Sequence, residues 1–220
     1  MHYGKYQEVI GHIKYCLKPE DFAHTLRVLG YALQILKSEK AADAEVVILA
    51  SLLHDIGRAD GNGYEHYRKG SEQSRAYLTE KGYEEALAAR VADCIATHST
   101  HSNEKPQTLE AKIVFDADKL DTTGAVGTAR VIAQYAHEGK SLYVLGDDDQ
   151  PLAGKKEEAP SLLRKYKRKL KGLEEVFFTD KAKKIAEKHQ ETMDEYFKQL
   201  KKEVNDNHEK MEKLLSKYCE

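Results

Sequence analysis

Residues 41–58, AADAEVVILASLLHDIGR, carry the pattern that decides the fold. From Val46 to Ile56 nearly every position is apolar, so the segment has no solvated face, as in a helix buried on all sides by its neighbours. Gly57 is expected to stop that helix. The anomaly is His54-Asp55, an imidazole and a carboxylate at the C-terminal end of the most hydrophobic helix in the chain. Leaving such groups unsatisfied in apolar surroundings costs on the order of 1–3 kcal/mol or more each. The end of a helix also carries roughly −0.5 of an elementary charge on its unpaired carbonyls and favours a cation. Metal ligation satisfies both requirements, although a His-Asp dipeptide by itself is more often a cap or a surface pair.

Outward from this segment the pattern predicts an all-α protein. Only four prolines and long stretches of Ala, Leu, Glu and Lys leave few strands or none. Before it, Phe22, Leu26, Leu29, Leu33 and Leu36 step by four and three, predicting a helix that starts near Pro19 and packs on this stripe. After a Gly-rich turn at residues 60–63, helices are predicted over about 66–80, 84–98 and 109–120, with others beginning near Thr128, Ser161 and Thr179. Leu87, Val91, Ile95 and His98 share one face, so His98 closes an apolar stripe. Residues of about 139–160 read as a polar loop or lid, and the Lys- and Glu-rich tail as a docked helix broken near Asn205-Asp206-Asn207.

Composition narrows the function classes. A chain of 220 residues, 40% hydrophobic and with formal net charge −2, can bury a core but lacks the basic field of a non-specific nucleic-acid binder. It is expected to be one domain over 1–220, with a metal-site core at about 18–135 and C-terminal helices at about 161–220. No window approaches ~18 consecutive apolar residues, and the start, MHYGKYQEVIGHIKYC, lacks a signal-peptide layout. A cytoplasmic protein without nucleic-acid or membrane partners is expected, its oligomeric state left open. Cys16, Cys94 and Cys219 include no CxxC, so neither a disulfide framework nor a thiolate zinc site is indicated. The remaining donors are His24 beside the apolar stripe, the doublet His54-Asp55, and Asp116, Asp118 and Asp121 in FDADKLD. Imidazole and carboxylate donors without thiolate suit Mn, Fe, Zn, Co or Ni and a hydrolytic rather than a structural site.

His24, His54-Asp55 in LLHDIGR and Asp118 in DADKLD resemble the H…HD…D signature of the HD-domain metal-dependent phosphohydrolase superfamily. HDIGR, then His66, the THS at 97–99, LEAKIVFDADKLDTTGAVGTAR and KLKGLEEVFFTDKAKKIAEKHQETM are similar to the small bacterial YpgQ/YedJ-like subgroup. The resemblance implies an HD-domain helical bundle with a docked C-terminal extension, in which His24, His54, Asp55 and Asp118 ligate a divalent metal, manganese favoured, with Fe, Ni, Co, Zn or Mg as alternatives. It implies that Asp55 also orients the attacking water, that Asp121 supports the ligands, and that Asp116 is a near decoy. It places His66 and His98 either beside the substrate phosphate, the role favoured, or on a second metal. Arg58, Lys119 and Arg130 become candidate phosphate contacts, because a divalent ion alone cannot neutralise a polyphosphate.

The substrate implied is a phosphorylated small molecule, first a nucleoside or deoxynucleoside triphosphate cleaved to monophosphate and pyrophosphate. A phosphatase or phosphodiesterase on another nucleotide or metabolite is the alternative enzyme. A non-catalytic nucleotide sensor or interaction module, using the amphipathic tail, is the alternative of another class. Asp60-Gly-Asn-Gly-Tyr64 is similar to the DGxGYP element of the cyclic-dinucleotide phosphodiesterases, but it stands directly after the doublet and no His-His pair precedes it. The acidic pair of the alarmone hydrolases and the Glu of the deoxynucleoside monophosphate phosphatases are both replaced here by Ile-Gly-Arg.

Overall fold

The apolar stretch forms a helix in the computed structural model, which describes residues 4–59, 61, 65–102, 104–172 and 176–218. The helices are α1 (Gln7–Cys16), α2 (Pro19–Leu36), α3 (Ala44–Leu53), α4 (His66–Glu80), α5 (Glu85–Ala96), α6 (Leu109–Leu120), α7 (Gly124–His137), α8 (Leu162–Lys165) and α9 (Asp180–Leu215). A π turn, Tyr166–Leu170, follows α8. No strand occurs among the described residues; two isolated bridges, Ser141 to Ser161 and Leu145 to Pro151, tie down the polar segment after α7. Most of the turn expected at 60–63, together with Tyr64 and Cys219, lies outside the described residues.

Contacts divide the chain into two compact units, residues 1–121 with 177–183, and residues 122–176 with 184–220. In the first, α3 is the central element. Asp43 caps it by accepting from the backbone N–H of Glu45 and Val46, and α1, α2, α5 and α6 all pack on it, which is why Val46, Val47, Leu49, Ala50, Leu52 and Leu53 are buried. The sequence pattern assigns no element to residues 7–16, yet Val9, Ile10 and Ile13 make α1 part of this core. The second unit has its own core, where Val131 and Tyr135 of α7 meet Leu162, Leu163, Tyr166, Met193 and Phe197. That packing puts α7 with the C-terminal helices, whereas the sequence groups residues up to 135 with the metal-site core.

Three expectations need correction. The buried face of α2 is not the leucine stripe but His24, Thr25, Val28, Ala32 and Ile35; Leu33 is 42% exposed. The small residues Thr25 and Ala32 allow α2 close to α3 and α6, and the leucines line the flank of the contact. Gly57 does not stop α3, whose regular hydrogen bonding ends at Leu53; His54 and Asp55 form a turn into a 3-10 segment, Ile56–Arg58. Helix α9 runs unbroken through Asn205–Asn207, where the side chains of Lys202 and Asp206 pair at 2.6 Å. Two Asn and one Asp cost only about 0.5–0.7 kcal/mol each relative to Ala, too little to break a helix. None of the described helices is long and apolar enough to cross a membrane.

Candidate metal centre

Because α3 unwinds at Leu53, the side chains of the doublet leave the helix where its last carbonyls are unpaired. His54 Nδ1 donates to the Ser51 carbonyl at 2.8 Å, since a carbonyl can only accept, and this leaves Nε2 as the atom presented to the interior. His24 is positioned in the same way: its Nδ1 lies 2.7 Å from Asp121 Oδ2. The two Nε2 atoms face each other at 3.2 Å. Asp118 Oδ1 lies 3.2 Å from His24 Nε2 and 3.9 Å from His54 Nε2, and Asp55 Oδ2 lies 3.5 and 3.6 Å from the same two atoms. His24, His54, Asp55, Asp118 and Asp121 are all buried.

These distances test whether a metal fits. Ligand atoms about 2.1 Å from one ion lie about 3 Å apart when adjacent, close to the separations found. Two imidazole nitrogens, each with its other nitrogen committed as a donor, face each other with lone pairs unless a cation stands between them. Without metal, a proton takes that place. Burial pulls His24 down, but hydrogen bonds to Asp118 and Asp121 and the charges of Asp118 and Asp55 outweigh it and lift its pKa to about 9. Burial and the neighbouring His24 and His98 hold His54 down at about 4. Burial opposes ionisation of Asp55 and Asp118, yet His54, His98 and Arg58 on the first, and Lys119 and His24 on the second, keep both carboxyls well below the usual range. The donor set and its spacing therefore fit a divalent ion.

The other oxygen of Asp55 looks onto a second group. His66 Nε2 lies 3.6 Å and His98 Nε2 3.8 Å from Asp55 Oδ1, and these three residues bring ligand atoms within 4.8 Å of one another, as do His24, His54 and Asp55. His98 follows α5, which ends at Ala96 rather than at His98, and its Nδ1 donates to the Ile95 carbonyl at 2.6 Å. His66 is brought in by a close backbone crossing: Gly57 meets α4 at His66 and Gly70, where a Cβ would lie 2.2 Å from the His66 carbonyl oxygen. Arg58 reaches back so that its Nε is 2.7 Å from Asp55 Oδ1.

Of the remaining sequence candidates, Lys119 pairs with Asp118 Oδ2 at 2.7 Å, and Arg130 lies on α7 in the second unit. Asp116 is drawn away from the cluster by another task. Its carboxylate accepts from the backbone N–H of Phe178 and Thr179 and from the Thr179 hydroxyl, which holds the start of α9. Burial lifts its pKa against those hydrogen bonds. Asp121 supports His24 as expected. The residue that sequence reasoning missed is Arg27, whose Nε and Nη2 clamp Asp121 at 2.7 and 3.1 Å. Its signal was its place one turn after His24 on α2, hidden because the leucine stripe pointed to another face.

The HD domain family matches residues 21–123, the span from before His24 to beyond Asp121. The chain is similar to the protein YpgQ of Bacillus subtilis (strain 168), 31% identical over 188 residues, 84% of each chain. The crystal structure of Bacillus subtilis YpgQ in complex with ADP superposes with a TM-score of 0.71 at 30% identity, covering 90% of this chain and 93% of that one. An HD-superfamily hydrolase from Bacillus thuringiensis gives a TM-score of 0.68 at 26% identity, covering 91% and 97%.

Proposed function

The chain belongs to the HD domain family and is, at the level of that superfamily, a metal-dependent phosphohydrolase; from this premise we propose that it cleaves a nucleoside or deoxynucleoside triphosphate into the monophosphate and pyrophosphate. In this reading His24 Nε2, His54 Nε2, Asp55 and Asp118 hold the divalent ion, for which manganese is favoured among the metals that nitrogen and oxygen donors accept. When bound, such an ion makes water nucleophilic near neutral pH and draws charge from a phosphoryl oxygen.

The chain's own residues do the rest. Asp55 orients the attacking water with one oxygen while its other oxygen stays with Arg58. His66 and His98 line the approach and present Nε2 atoms to the phosphate. Arg58 and Lys119 offset charge that develops on the phosphoryl and leaving oxygens. One observation carries the polyphosphate assignment. The buried carboxylates Asp55, Asp118 and Asp121 are already matched by Arg58, Lys119 and Arg27, so adding a dication leaves the site net positive, which suits a ligand with several negative charges. The ADP complex of the relative YpgQ supports a nucleotide.

Manganese-loaded protein offered the common nucleoside triphosphates and monophosphates, with pyrophosphate and orthophosphate assayed separately, is expected to release pyrophosphate from triphosphates. Orthophosphate release alone would give the phosphatase reading instead, and silence on every substrate with metal bound would give the sensor. A second expectation concerns His24. Asp121→Asn is expected to weaken manganese binding by about 10–100-fold, because the carboxylate that fixes the His24 tautomer is lost. Equilibrium dialysis reads this directly, and wild-type affinity in the variant would show that Asp121 does not orient the ligand.

A further inference from the structure

The second half of α9 carries an apolar stripe that the second unit leaves uncovered. From Met193 the stripe steps by four and three through Phe197, Leu200, Val204, Asn207, Met211 and Leu214, which is the 3.5-residue period of a coiled-coil seam. Met193 and Phe197 are buried with Leu162 and Tyr166 in the core of the unit, and Leu200 and Val204 are half-buried. Met211 and Leu214, by contrast, are 50% and 55% exposed. Leu215, and Tyr218 in the 3-10 turn Ser216–Tyr218 that follows, widen this exposed end. The opposite face of the helix is solvated and holds the Lys202–Asp206 pair, so the helix stays amphipathic while one side lacks a cover. That side is also a groove. The seam from Leu200 to Met211 forms its floor, and Tyr143, from the segment after α7, forms its wall, the tyrosine ring standing edge-on to His208 at 6.5 Å.

The occupant that matches this face is a second copy of the same helix. A parallel copy does not fit, because the seam at Phe197 is already filled by each chain's own core and the two cores would collide. An antiparallel copy fits when Leu214 of one chain lies over Val204 of the other and Met211 over Asn207, since the shared seam then stops short of Phe197 at both ends. In this register Glu203 of each chain faces Lys217 of the other, giving two opposite-charge pairs related by the two-fold axis. Among the described residues of its own chain Glu203 accepts a hydrogen bond from Gln199 at 3.1 Å and has no cation. Asn207 is the polar residue on the seam, a kind of position that sets register at a cost in stability. We propose that two copies of this chain associate through α9 as a short antiparallel coiled coil, the end of each helix lying in the groove that Tyr143 closes on the other. The paired stretch, residues 204–214, is about 15 Å long, and Lys210 meets its own copy near the axis, so the association is weak and concentration-dependent.

Sedimentation equilibrium of the full chain across a concentration series is expected to show the mass rising from 24.9 kDa towards twice that value. Leu214→Glu, at a side chain more than half exposed, is expected to abolish the rise while leaving helicity and Tm unchanged. Glu203→Lys or Lys217→Glu alone is expected to weaken association by about tenfold. The two together are expected to restore it, because both pairs are opposite in charge again. A monomer at every concentration would overturn the inference, and binding of that monomer to vesicles of phosphatidylcholine and phosphatidylglycerol would assign the face to a lipid surface instead. A dimer that survives Leu214→Glu would place the interface elsewhere and overturn it as well. A double charge variant no tighter than the single ones would overturn the antiparallel register.

Discussion

Asp118→Ala is expected to lower turnover by about a thousandfold or more while leaving the helical fold intact. The magnitude follows from chemistry worth several kcal/mol when a metal is held correctly, each 1.36 kcal/mol being a factor of ten. Asp118 Oδ1 is 3.2 Å from His24 Nε2, so its loss removes both a proposed ligand and one of the acceptors that hold His24 in place. The structural cost is smaller. Asp118 sits near the end of α6, and its deletion leaves Lys119, the adjacent residue, able to turn towards water. Circular dichroism and elemental analysis should therefore show a folded protein that has lost most of its metal. Wild-type turnover and metal content in this variant would remove Asp118 from the site.

Gly57→Ala is expected to destabilise the protein by about 3 kcal/mol, at the upper end of what overpacking costs, lowering Tm by roughly 6–12 °C for a chain of this size. A Cβ at position 57 would lie 2.2 Å from the His66 carbonyl oxygen and 2.7 Å from the Gly70 nitrogen, and both are backbone atoms that no rotamer change can move aside. Gly70→Ala should be milder, since its nearest contact is 3.2 Å, to the His54 carbonyl oxygen. The two glycines let the turn after α3 touch α4, which puts His66 beside Asp55. Gly57→Ala should therefore also lower manganese affinity. Thermal denaturation of the two variants side by side checks the order, and equal stability with wild type at position 57 would show that the crossing is looser than described.

The residues of the candidate metal centre stand out in the sequence because they violate the pattern around them. A buried histidine and aspartate at the end of an all-apolar helix must be satisfied, and Asp118 lies on a helix whose range, 109–120, the periodicity gives correctly. What was misread was direction and cause. The larger leucines of α2 outweigh Thr25 and Ala32 in a hydrophobic pattern, but close helix contact selects the small residues, so the buried face lies to one side of the stripe and carries His24 with it. Gly57 looks like a helix stop in one dimension and proves to be a point of close approach in three. The role of Asp116 was out of reach, and the one signal for Arg27, its place a turn after His24, was hidden by the leucine stripe. Their partners, Asp121 and the backbone of Phe178 and Thr179, are 94, 62 and 63 residues away in the chain.

The most direct test of the account is the anomalous scattering of crystals grown with manganese. An ion bonded at about 2.2 Å to His24 Nε2, His54 Nε2, Asp55 and Asp118 is expected, with Arg58 still on Asp55 Oδ1. Manganese bound elsewhere, with these four side chains left paired to one another, would contradict it.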